Sequence, residues 1–183
     1  AVFWGHLGGL PEEAYEHDGQ ITKREVRAVT LAQLAPQPTD ILWDIGAGCG
    51  SVSIEWLRCP FSCHAFAIEC NSKRANLITK NAANLGVPNL NVVVGRAPNV
   101  LSDLPDPDKV FVGGGVSQAD ILDRCWDRLI IGGVLVANAI TLEAQKRLIE
   151  FGSEVKGSFT RLSVARSSSV GSLTGMRPMM EVL

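Results

Sequence analysis

The sequence predicts an α/β domain in which an open, mostly parallel sheet is covered by helices on both faces. Three observations support this. Short apolar runs typical of buried parallel strands alternate with helical segments that carry one apolar face. A glycine-rich turn follows the first apolar run, and acidic, amide or glycine residues follow the others. Because right-handed crossovers bring the carboxyl ends of parallel strands to one edge, we expect a ligand site at that edge.

Local signals place each element. The predicted strands are residues 41–45, 63–68, 90–94, 109–112 and 134–137. The first helix begins with a capping box formed by Thr22 and Glu25, and Pro36 and Pro38 close it. Glycines stop three of the other helices, which are predicted at residues 51–58, 72–85, 118–130 and 141–151. Residues 158–166 and 176–183 are predicted as two further strands, joined by a Ser- and Gly-rich link at 167–175.

The turn after the first strand, residues 46–50, is called the glycine loop below. With the preceding acid it has the pattern D-x-G-x-G-x-G, whereas the dinucleotide fingerprint G-x-G-x-x-G needs a glycine where Ser51 stands. The pattern resembles motif I of the class I methyltransferases, which bind S-adenosylmethionine and have a seven-stranded, mostly parallel sheet with a C-terminal antiparallel hairpin. An ordinary strand–helix turn is the alternative. The expected cofactor residues here are Asp44, Gly46, Ala47, Gly48, Cys49 and Gly50.

Glu69 follows the second predicted strand, about one β-α-β unit after the first acid. A carboxylate there can accept hydrogen bonds from both ribose hydroxyl groups, as the corresponding acid does in dinucleotide-binding folds. A helix-cap acid is the alternative, but Asn71 or Ser72 starts the next helix and Glu69 precedes both. We therefore expect Glu69 to bind the cofactor ribose.

The third strand ends in a segment that should contact the adenine. In the wider methyltransferase superfamily an aspartate often follows the glycine here and accepts from the adenine amino group, but this chain has Arg96. We therefore expect Gly95 and Ala97 to bind the adenine through backbone atoms and apolar packing. Arg96 is expected to face the cofactor or the substrate, with a solvated loop position as the alternative.

Composition argues against several classes of protein. The formal net charge is −2, whereas a nucleic-acid surface is normally basic, and no apolar run approaches the roughly 20 residues of a membrane span. No signal-peptide pattern is present. The five cysteines have no C-x-x-C spacing and do not cluster with the three histidines. We therefore expect reduced thiols, no metal site and a cytoplasmic location.

Several segments together resemble the decarboxylating precorrin methyltransferases of cobalamin biosynthesis. The similarity is closest to the C-terminal domain of the enzymes that methylate carbons 5 and 15 of precorrin-6Y, and to stand-alone proteins of the anaerobic pathway. The segment Gln20-x-Thr22-Lys-Arg-Glu and the triple glycine are its most specific parts, while Cys49 and Arg96 depart from the usual pattern. The matching segments are residues 9–11, 17–27, 42–48, 111–115, 135–139, 173–175 and 177–178.

The resemblance implies methyl transfer from S-adenosylmethionine to carbon 15 of a precorrin tetrapyrrole, with loss of carbon dioxide from the acetate on carbon 12. In the two-domain enzymes a separate N-terminal domain methylates carbon 5. Because this chain does not begin with methionine, we expect one domain, residues 1–183, cut from such a protein. Its expected parts are a segment at 1–21 that closes over the cofactor, a cofactor-binding core at 22–152 and a hairpin at 153–183. A homotetramer is also implied.

The resemblance suggests roles for residues outside the glycine loop. Gln20 and Thr22 would close over the methionine end of the cofactor, although Thr22 could be only the helix cap. His17 and Asp18 are the best local acid–base candidates, with a flexible loop as the alternative, and Asn138 is a weaker one.

The substrate carries many carboxylates, so cationic side chains should line its pocket. Arg177, beside Pro178 in the family-like tail, is the strongest candidate, and a surface charge is the alternative for each. Small residues after the fourth strand would leave room for a bulky flat ligand. The candidate substrate residues are Gly113, Gly114, Gly115 and Arg177, and the further cations are Lys23, Arg24, Arg96, Arg161 and Arg166.

Two other functions remain open at this point. An RNA or tRNA methyltransferase on the same fold would need a basic face and stacking aromatic residues, which this composition lacks. A non-catalytic domain that binds S-adenosylmethionine would need the same glycine loop and Glu69. Turnover with a substrate separates these functions from the precorrin reaction.

Overall fold

The structure is a computed structural model that describes residue 5, residues 8–118 and residues 120–183. Position 119 of the predicted helix 118–130, and positions 1–4, 6 and 7 of the predicted N-terminal segment, lie outside the described residues. The main strands are β1 Ile41–Ile45, β2 His64–Glu69, β3 Asn91–Val94, β4 Lys109–Val112 and β5 Val134–Ala137. They form one parallel sheet in the order β3-β2-β1-β4-β5, which confirms the predicted α/β architecture.

Helices cover both faces of this sheet, as predicted. In the described residues they are α1 Arg24–Leu34, α2 Ser51–Leu57, α3 Ser72–Asn84, α4 Ile121–Arg128 and α5 Leu142–Glu154. Successive strand residues point to opposite faces, so the core forms two apolar clusters. Leu42 of β1 belongs to the cluster that contains residues of α1, α2 and α3, whereas Trp43 belongs to the cluster of α4 and α5.

The capping box predicted for the first helix is wrong. The residue that caps α1 is Lys23, whose side chain makes no capping hydrogen bond, so Thr22 lies outside the helix. The carboxylate of Glu25 instead binds Arg166 from the C-terminal region. A partner distant in sequence has therefore replaced the local contact that the spacing suggested.

Gly152 does not end the last helix, although the sequence predicted that it would. α5 continues through it to Glu154. A Cβ built on Gly152 would lie 2.6 Å from the ring of Phe159. The glycine therefore allows close packing of an aromatic ring on the helix rather than terminating it.

The C-terminal region differs most from the prediction. The hairpin strands are β6 Ala165–Val170 and β7 Leu173–Pro178, which lie largely in the segment predicted as a link. Gly171, with φ +61°, lies in the two-residue turn between them. The hairpin is a separate two-stranded sheet, so the main sheet in the described residues has five strands and the prediction of seven is wrong. β6 is rich in serine and both hairpin strands are mostly exposed, so they lack the apolar pattern from which the other strands were predicted.

Ion pairs and backbone hydrogen bonds join the C-terminal region to the rest of the domain. Arg166 of β6 forms ion pairs with Glu12 and with Glu25 of α1. The backbone groups of Leu183 exchange two hydrogen bonds with Ala139, at 2.8 and 2.9 Å, just beyond β5. The start of the hairpin and the C-terminus are therefore fixed to the domain, while most hairpin residues beyond Arg166 are exposed.

A buried ion pair holds residues 9–22, called the strap below, against the core. Arg27 of α1 and Glu55 of α2 are 0% and 2% exposed, with Arg27 Nε 2.6 Å from Glu55 Oε1. The carboxylate also accepts hydrogen bonds from the amides of Gly9 and Leu10 and from the Tyr15 hydroxyl. The guanidinium donates to carbonyl groups at both ends of the strap. Removing either charge would leave the other buried without compensation, which is strongly destabilising.

None of the helices in the described part of the chain is long and apolar enough to cross a membrane. Within the same residues, no group of three or more His, Cys, Asp or Glu side chains could hold a metal ion. The cysteines are free thiols.

Candidate functional site

A cavity of about 710 Å³ opens at the carboxyl edge of the parallel sheet. The loops after all five strands contribute to its wall, together with the strap and the C-terminal region. The predicted site residues that line it are Gln20, Thr22, Gly46, Ala47, Gly48, Glu69, Gly95, Arg96, Ala97, Gly113, Gly114, Gly115 and Asn138. The structure thus brings most of the predicted cofactor and substrate residues to one cavity.

The loops after β1 and β4 touch through two glycines. Gly46 has φ +71°, and a Cβ built on it would lie 2.8 Å from the Cα of Gly114. The amides of Gly113 and Gly114 both donate to the carbonyl of Ile45, at 3.0 and 3.2 Å. There is consequently no room for a side chain at Gly46, and the two loops form one continuous surface.

The carboxylate of Glu69 is held by the backbone on both sides. Its Oε2 accepts from the amide of Gly48 and its Oε1 accepts from the amide of Asn71, each at 2.9 Å. Each carboxylate oxygen can accept more than one hydrogen bond, so both retain capacity toward the cavity. Asn71 is the residue that caps α3, through its own side chain. The helix cap and the cavity-facing acid are therefore two different residues.

Asp44 lies behind the cavity wall rather than in it. Its Oδ2 accepts hydrogen bonds from the amide and hydroxyl of Ser53, and its Oδ1 has no partner among the described residues. Burial raises the pKa of Asp44 to about 6, against the hydrogen bonds from Ser53, which lower it. The side chain thus fixes the start of α2 and leaves one buried oxygen available.

Cys49 and Gly50 also lie outside the cavity wall, although the sequence predicted that they would contact the cofactor. Cys49 packs in the core, and burial raises the pKa of its thiol to about 11, so it is a poor nucleophile. A Cβ on Gly50 would lie 2.8 Å from the side chain of Ile78. The second half of the glycine loop therefore packs inward on α3.

His17 and Asp18 do not reach the cavity. Both are exposed, and His17 Nδ1 accepts from the amide of Gly19. Asp18 lies 2.7 Å from Arg74 Nε, and that hydrogen bond lowers the pKa of the carboxyl. The structure therefore gives these two residues a role in ordering the strap and does not bring them to the site as an acid–base pair.

Asn138 follows β5 and does line the cavity. Its Nδ2 donates to the hydroxyl of Thr30, a buried residue of α1, at 3.1 Å. This bond fixes the plane of the amide. Asn138 is thus the one member of the predicted acid–base set that the described structure places in the cavity wall.

Of the predicted cationic residues, Lys23 and Arg96 line the cavity. No described residue forms an ion pair or side-chain hydrogen bond with either of them. Arg74, which the sequence did not indicate, also lines the cavity but is paired with Asp18. Lys23 and Arg96 are therefore available to an anionic ligand.

The remaining predicted cations lie away from the cavity. Arg166 forms ion pairs with Glu12 and Glu25. The hydrogen bonds that Arg166 donates to Glu12 lower the pKa of Glu12 to about 2. Arg177 is exposed on β7, directly opposite Arg166 in the hairpin. Its predicted contact with substrate is not supported within this chain. The other predicted substrate-binding cations that lie outside the cavity wall are Arg24 and Arg161.

The sequence did not indicate that a set of apolar side chains forms part of the cavity wall, called the apolar wall below. The residues of the apolar wall come from the segments on either side of the hairpin and from the position after Ala139. Their only sequence signal is apolar side chains at alternate positions, which equally fits a strand. They are Ile140, Leu162, Val164, Met179, Met180 and Val182.

A family model described as a precorrin methyltransferase domain matches residues 13–183. The chain belongs to this family. The matched range includes all the described helices and strands from α1 onward, the projecting hairpin among them. The resemblance inferred from the sequence is thereby confirmed.

Individual members of the family agree with this. A precorrin-6Y C(5,15)-methyltransferase (decarboxylating) from Sinorhizobium sp is 45% identical over 174 residues, which are 95% of this chain and 42% of that protein. A probable cobalt-precorrin-6B C(15)-methyltransferase (decarboxylating) from Pyrobaculum calidifontis is 34% identical over 174 residues, 92% of this chain and 89% of that protein. The chain thus spans less than half of the longer relative.

A solved structure shows the same fold. The C-terminal domain of precorrin-6Y C5,15-methyltransferase from Rhodobacter capsulatus superposes with a TM-score of 0.90 at 41% identity, covering 98% of this chain and 97% of that one. The fold of this precorrin methyltransferase domain is therefore an α/β methyltransferase fold with a parallel sheet and an added antiparallel hairpin.

We expect Asp44→Asn to stabilise the domain more at pH 7.5 than at pH 4. Because burial raises the Asp44 pKa from 3.8 to about 6, the native state binds more protons than the unfolded state between these values. The wild-type free energy of unfolding should therefore fall by about 2–3 kcal/mol as pH rises through this range, and the asparagine variant lacks this loss.

Urea denaturation of both proteins at the two pH values measures the difference, in which titrations common to both cancel. The exposed Asp127→Asn is the matched control and should show no such pH dependence. A stability difference between Asp44→Asn and wild type that stays constant with pH would contradict the assignment.

Proposed function

We propose that this chain is a decarboxylating precorrin methyltransferase domain. It would use S-adenosylmethionine to methylate carbon 15 of a tetrapyrrole and would release carbon dioxide from the acetate on carbon 12. One observation carries this choice: the relative named for the C(15) reaction alone is covered over 89% of its length. The relative named for both carbons is covered over only 42%. The sequence that this chain shares with both relatives therefore fits the C15 half of the reaction.

The residues at the carboxyl edge fit S-adenosylmethionine. The oriented carboxylate of Glu69 suits two ribose hydroxyl groups, and Gly46 leaves the backbone open where a side chain would collide with Gly114. The buried Oδ1 of Asp44 has no partner and can accept from a water or a cationic group nearby. Ala97 is buried beside Gly95 at the end of β3, where adenine packing is expected.

When bound, S-adenosylmethionine supplies a methyl group that is already activated by its sulfonium. The chain then has to hold the methyl donor and the acceptor carbon in the reacting geometry. Such positioning by itself can lower the barrier of a bimolecular step by up to about 7–11 kcal/mol. Glu69 is the one carboxylate in the described cavity wall, and it is engaged by two backbone amides. The electron pair left by loss of carbon dioxide can enter the protonated conjugated macrocycle, so no residue has to act as the electron sink.

We expect the substrate to contact two kinds of side chain in the cavity wall, which are cationic and apolar. Lys23 and Arg96 form no ion pair with another described residue and can bind the peripheral carboxylates of a tetrapyrrole. Met179 and Met180 belong to the apolar wall that can pack on the flat ring, and unbranched thioether side chains adapt well to such a surface. Asn138, held by Thr30, adds an amide of fixed orientation to the same cavity wall.

We further propose that in its parent protein this domain follows an N-terminal domain that methylates carbon 5. The length of the Sinorhizobium relative supports this, because more than half of it lies outside the match. The Pyrobaculum relative, covered over 89% of its length, supports activity of the C15 domain on its own.

The decisive test is mass spectrometry of precorrin-6B, methylated at carbon 5, after incubation with this chain and S-adenosylmethionine. We expect a gain of one methyl group and a loss of one carbon dioxide. Methyl gain alone would move the decarboxylation elsewhere. No turnover, with cofactor binding confirmed, would favour the non-catalytic binding domain or a different acceptor such as RNA.

Glu69→Gln should weaken S-adenosylmethionine binding by about 10- to 100-fold, since hydrogen bonds to a charged group contribute roughly 1.5–3 kcal/mol. The new amide group would also face a backbone N–H donor. Isothermal titration calorimetry measures the affinity, with the exposed Glu154→Gln as the control that should bind like wild type. Unchanged affinity in Glu69→Gln would show that the ribose assignment is wrong.

Lys23→Gln should raise KM for the precorrin by about tenfold and leave the affinity for S-adenosylmethionine within twofold, because it removes one charge-assisted contact to a carboxylate. Arg177→Gln serves as the comparison, since Arg177 lies outside the cavity wall of this chain. Steady-state kinetics with each variant measure the effect. A larger loss in Arg177→Gln would show that Arg177 reaches a substrate after all, from a neighbouring copy of the chain.

The exposed apolar residues of the hairpin support the proposal that the domain is a homo-oligomer. The resemblance to the family implies that this oligomer is a tetramer. Leu173 and Met176 are 75% and 67% exposed on a two-stranded sheet that pairs with no other described strand. An isolated two-stranded sheet is marginally stable in water, so a partner surface is expected. Light scattering should give the mass of four chains, and Leu173→Ser with Met176→Ser should lower it. A single-chain mass for wild type would contradict the proposal.

A further inference from the structure

Asn81 is a buried polar residue that the cavity wall does not contain. It lies on α3 beside the apolar residues Ile78 and Ala82 and is only 1% exposed. Its Oδ1 accepts from the amide of Glu16 at 2.8 Å, and its Nδ2 donates to the carbonyl of Glu16 at 2.9 Å and to the carbonyl of Cys49 at 3.0 Å. Both amide hydrogens and the carbonyl oxygen are therefore in use.

These three bonds connect two parts of the chain that are far apart in sequence. Glu16 belongs to the strap, and Cys49 belongs to the glycine loop. Beyond Glu16 the strap crosses the glycine loop, because a Cβ on Gly48 would lie 3.5 Å from the carbonyl of Gln20. Gln20 and Gly48 both line the cavity. One side chain on α3 thus links the strap to the glycine loop close to the point where these two segments of the cavity wall meet.

The strap has a second anchor at the ion pair of Arg27 and Glu55, which binds the backbone near its two ends and the Tyr15 hydroxyl in its middle. The backbone of Glu16, the next residue, is held by α3. The surface contacts there are the ion pairs of Lys80 with Glu16 and of Arg74 with Asp18. Exposed pairs of this kind contribute little to stability. Among the described residues, Asn81 is the buried side chain that hydrogen-bonds the backbone of Glu16, beside the Tyr15 hydroxyl that Glu55 holds.

We propose that Asn81 is a positioning residue for the cofactor, which holds the strap at a fixed height over the glycine loop. The role rests on the proposed S-adenosylmethionine site. A polar group in an apolar helix face has to be fully hydrogen-bonded to be tolerated, and this one is. Its hydrogen bonds go to backbone atoms of the strap and the glycine loop, so side-chain changes in those segments leave the link intact.

The test compares Asn81→Asp with Asn84→Asp, which makes the same change at an exposed position on the same helix. Asn81→Asp keeps the oxygen that accepts from Glu16 but removes both donors and sets a carboxylate against two carbonyl groups. We expect its Kd for S-adenosylmethionine to rise by about tenfold or more, which corresponds to 1.4 kcal/mol. Asn84→Asp should bind within about twofold of wild type.

Steady-state kinetics distinguish positioning from a general loss of structure. A positioning role raises KM for S-adenosylmethionine and leaves kcat at saturating cofactor within about threefold, whereas partial unfolding lowers the active fraction and hence kcat. Hydrogen exchange should be faster at the amide of Glu16 in Asn81→Asp. If that variant does not fold, Asn81→Leu, which keeps the side-chain volume, is measured in the same way.

The outcomes separate the two proposals. Normal cofactor affinity and KM in a folded Asn81 variant would overturn the positioning role and leave the proposed function intact. Failure of wild type and Asn84→Asp to bind S-adenosylmethionine would overturn the proposed cofactor, and the positioning role with it.

Discussion

The buried ion pair of Arg27 and Glu55 is the contact on which the arrangement of the cavity depends. It joins α1 to α2 and, through the remaining hydrogen-bonding atoms of both groups, binds the backbone of the strap. A buried charge that loses its partner typically costs about 3–5 kcal/mol. The strap is thus an integral part of the folded domain, and its residues 19–22 form part of the cavity wall.

The cavity wall combines two kinds of lining. Backbone lines it at the ends of β1, β2 and β3, where Glu69 is the oriented carboxylate and where we propose that the methyl donor binds. Side chains form the rest of the lining, among them the apolar residues from the C-terminal region and the cations Lys23 and Arg96, which we propose contact the substrate. Such a division suits an activated methyl donor, because the protein then has to orient two large ligands more than to supply a strong acid or base.

Local signals were enough to predict the part of the site that local structure creates. Strand ends, a glycine turn and an acid after the second strand lie where a parallel sheet must bring them, so residues 46–48 of the glycine loop and Glu69 reach the cavity as expected. The direction of Asp44 was not predictable in this way. Whether its carboxylate faces a ligand or the start of α2 depends on Ser53, nine residues later in the chain.

Contacts between distant segments decided what the sequence left open. Arg166 and Arg177 are equivalent as charges in a sequence, but the position of Glu12 makes the first a tether and leaves the second in solvent. Asn81 and Asn84 are the same residue type on the same helix and cannot be distinguished in the sequence. Only Asn81 is buried, and it hydrogen-bonds both the strap and the glycine loop. The apolar wall was missed because its residues flank a hairpin whose strands are too polar to be recognised by an apolar pattern.

The contact of Gly46 with Gly114 is not symmetric, and this bears on how the family could diversify. A Cβ on Gly46 would overlap the facing backbone, at 2.8 Å, whereas a Cβ on Gly114 would stand 3.6 Å from Gly46, an ordinary separation. Gly46 therefore admits no side chain, while Gly114 in the loop after β4 has space for a small one. Under the proposed function, evolution toward a different acceptor can proceed at Gly114 while Gly46, on the side of the proposed methyl donor, stays unchanged.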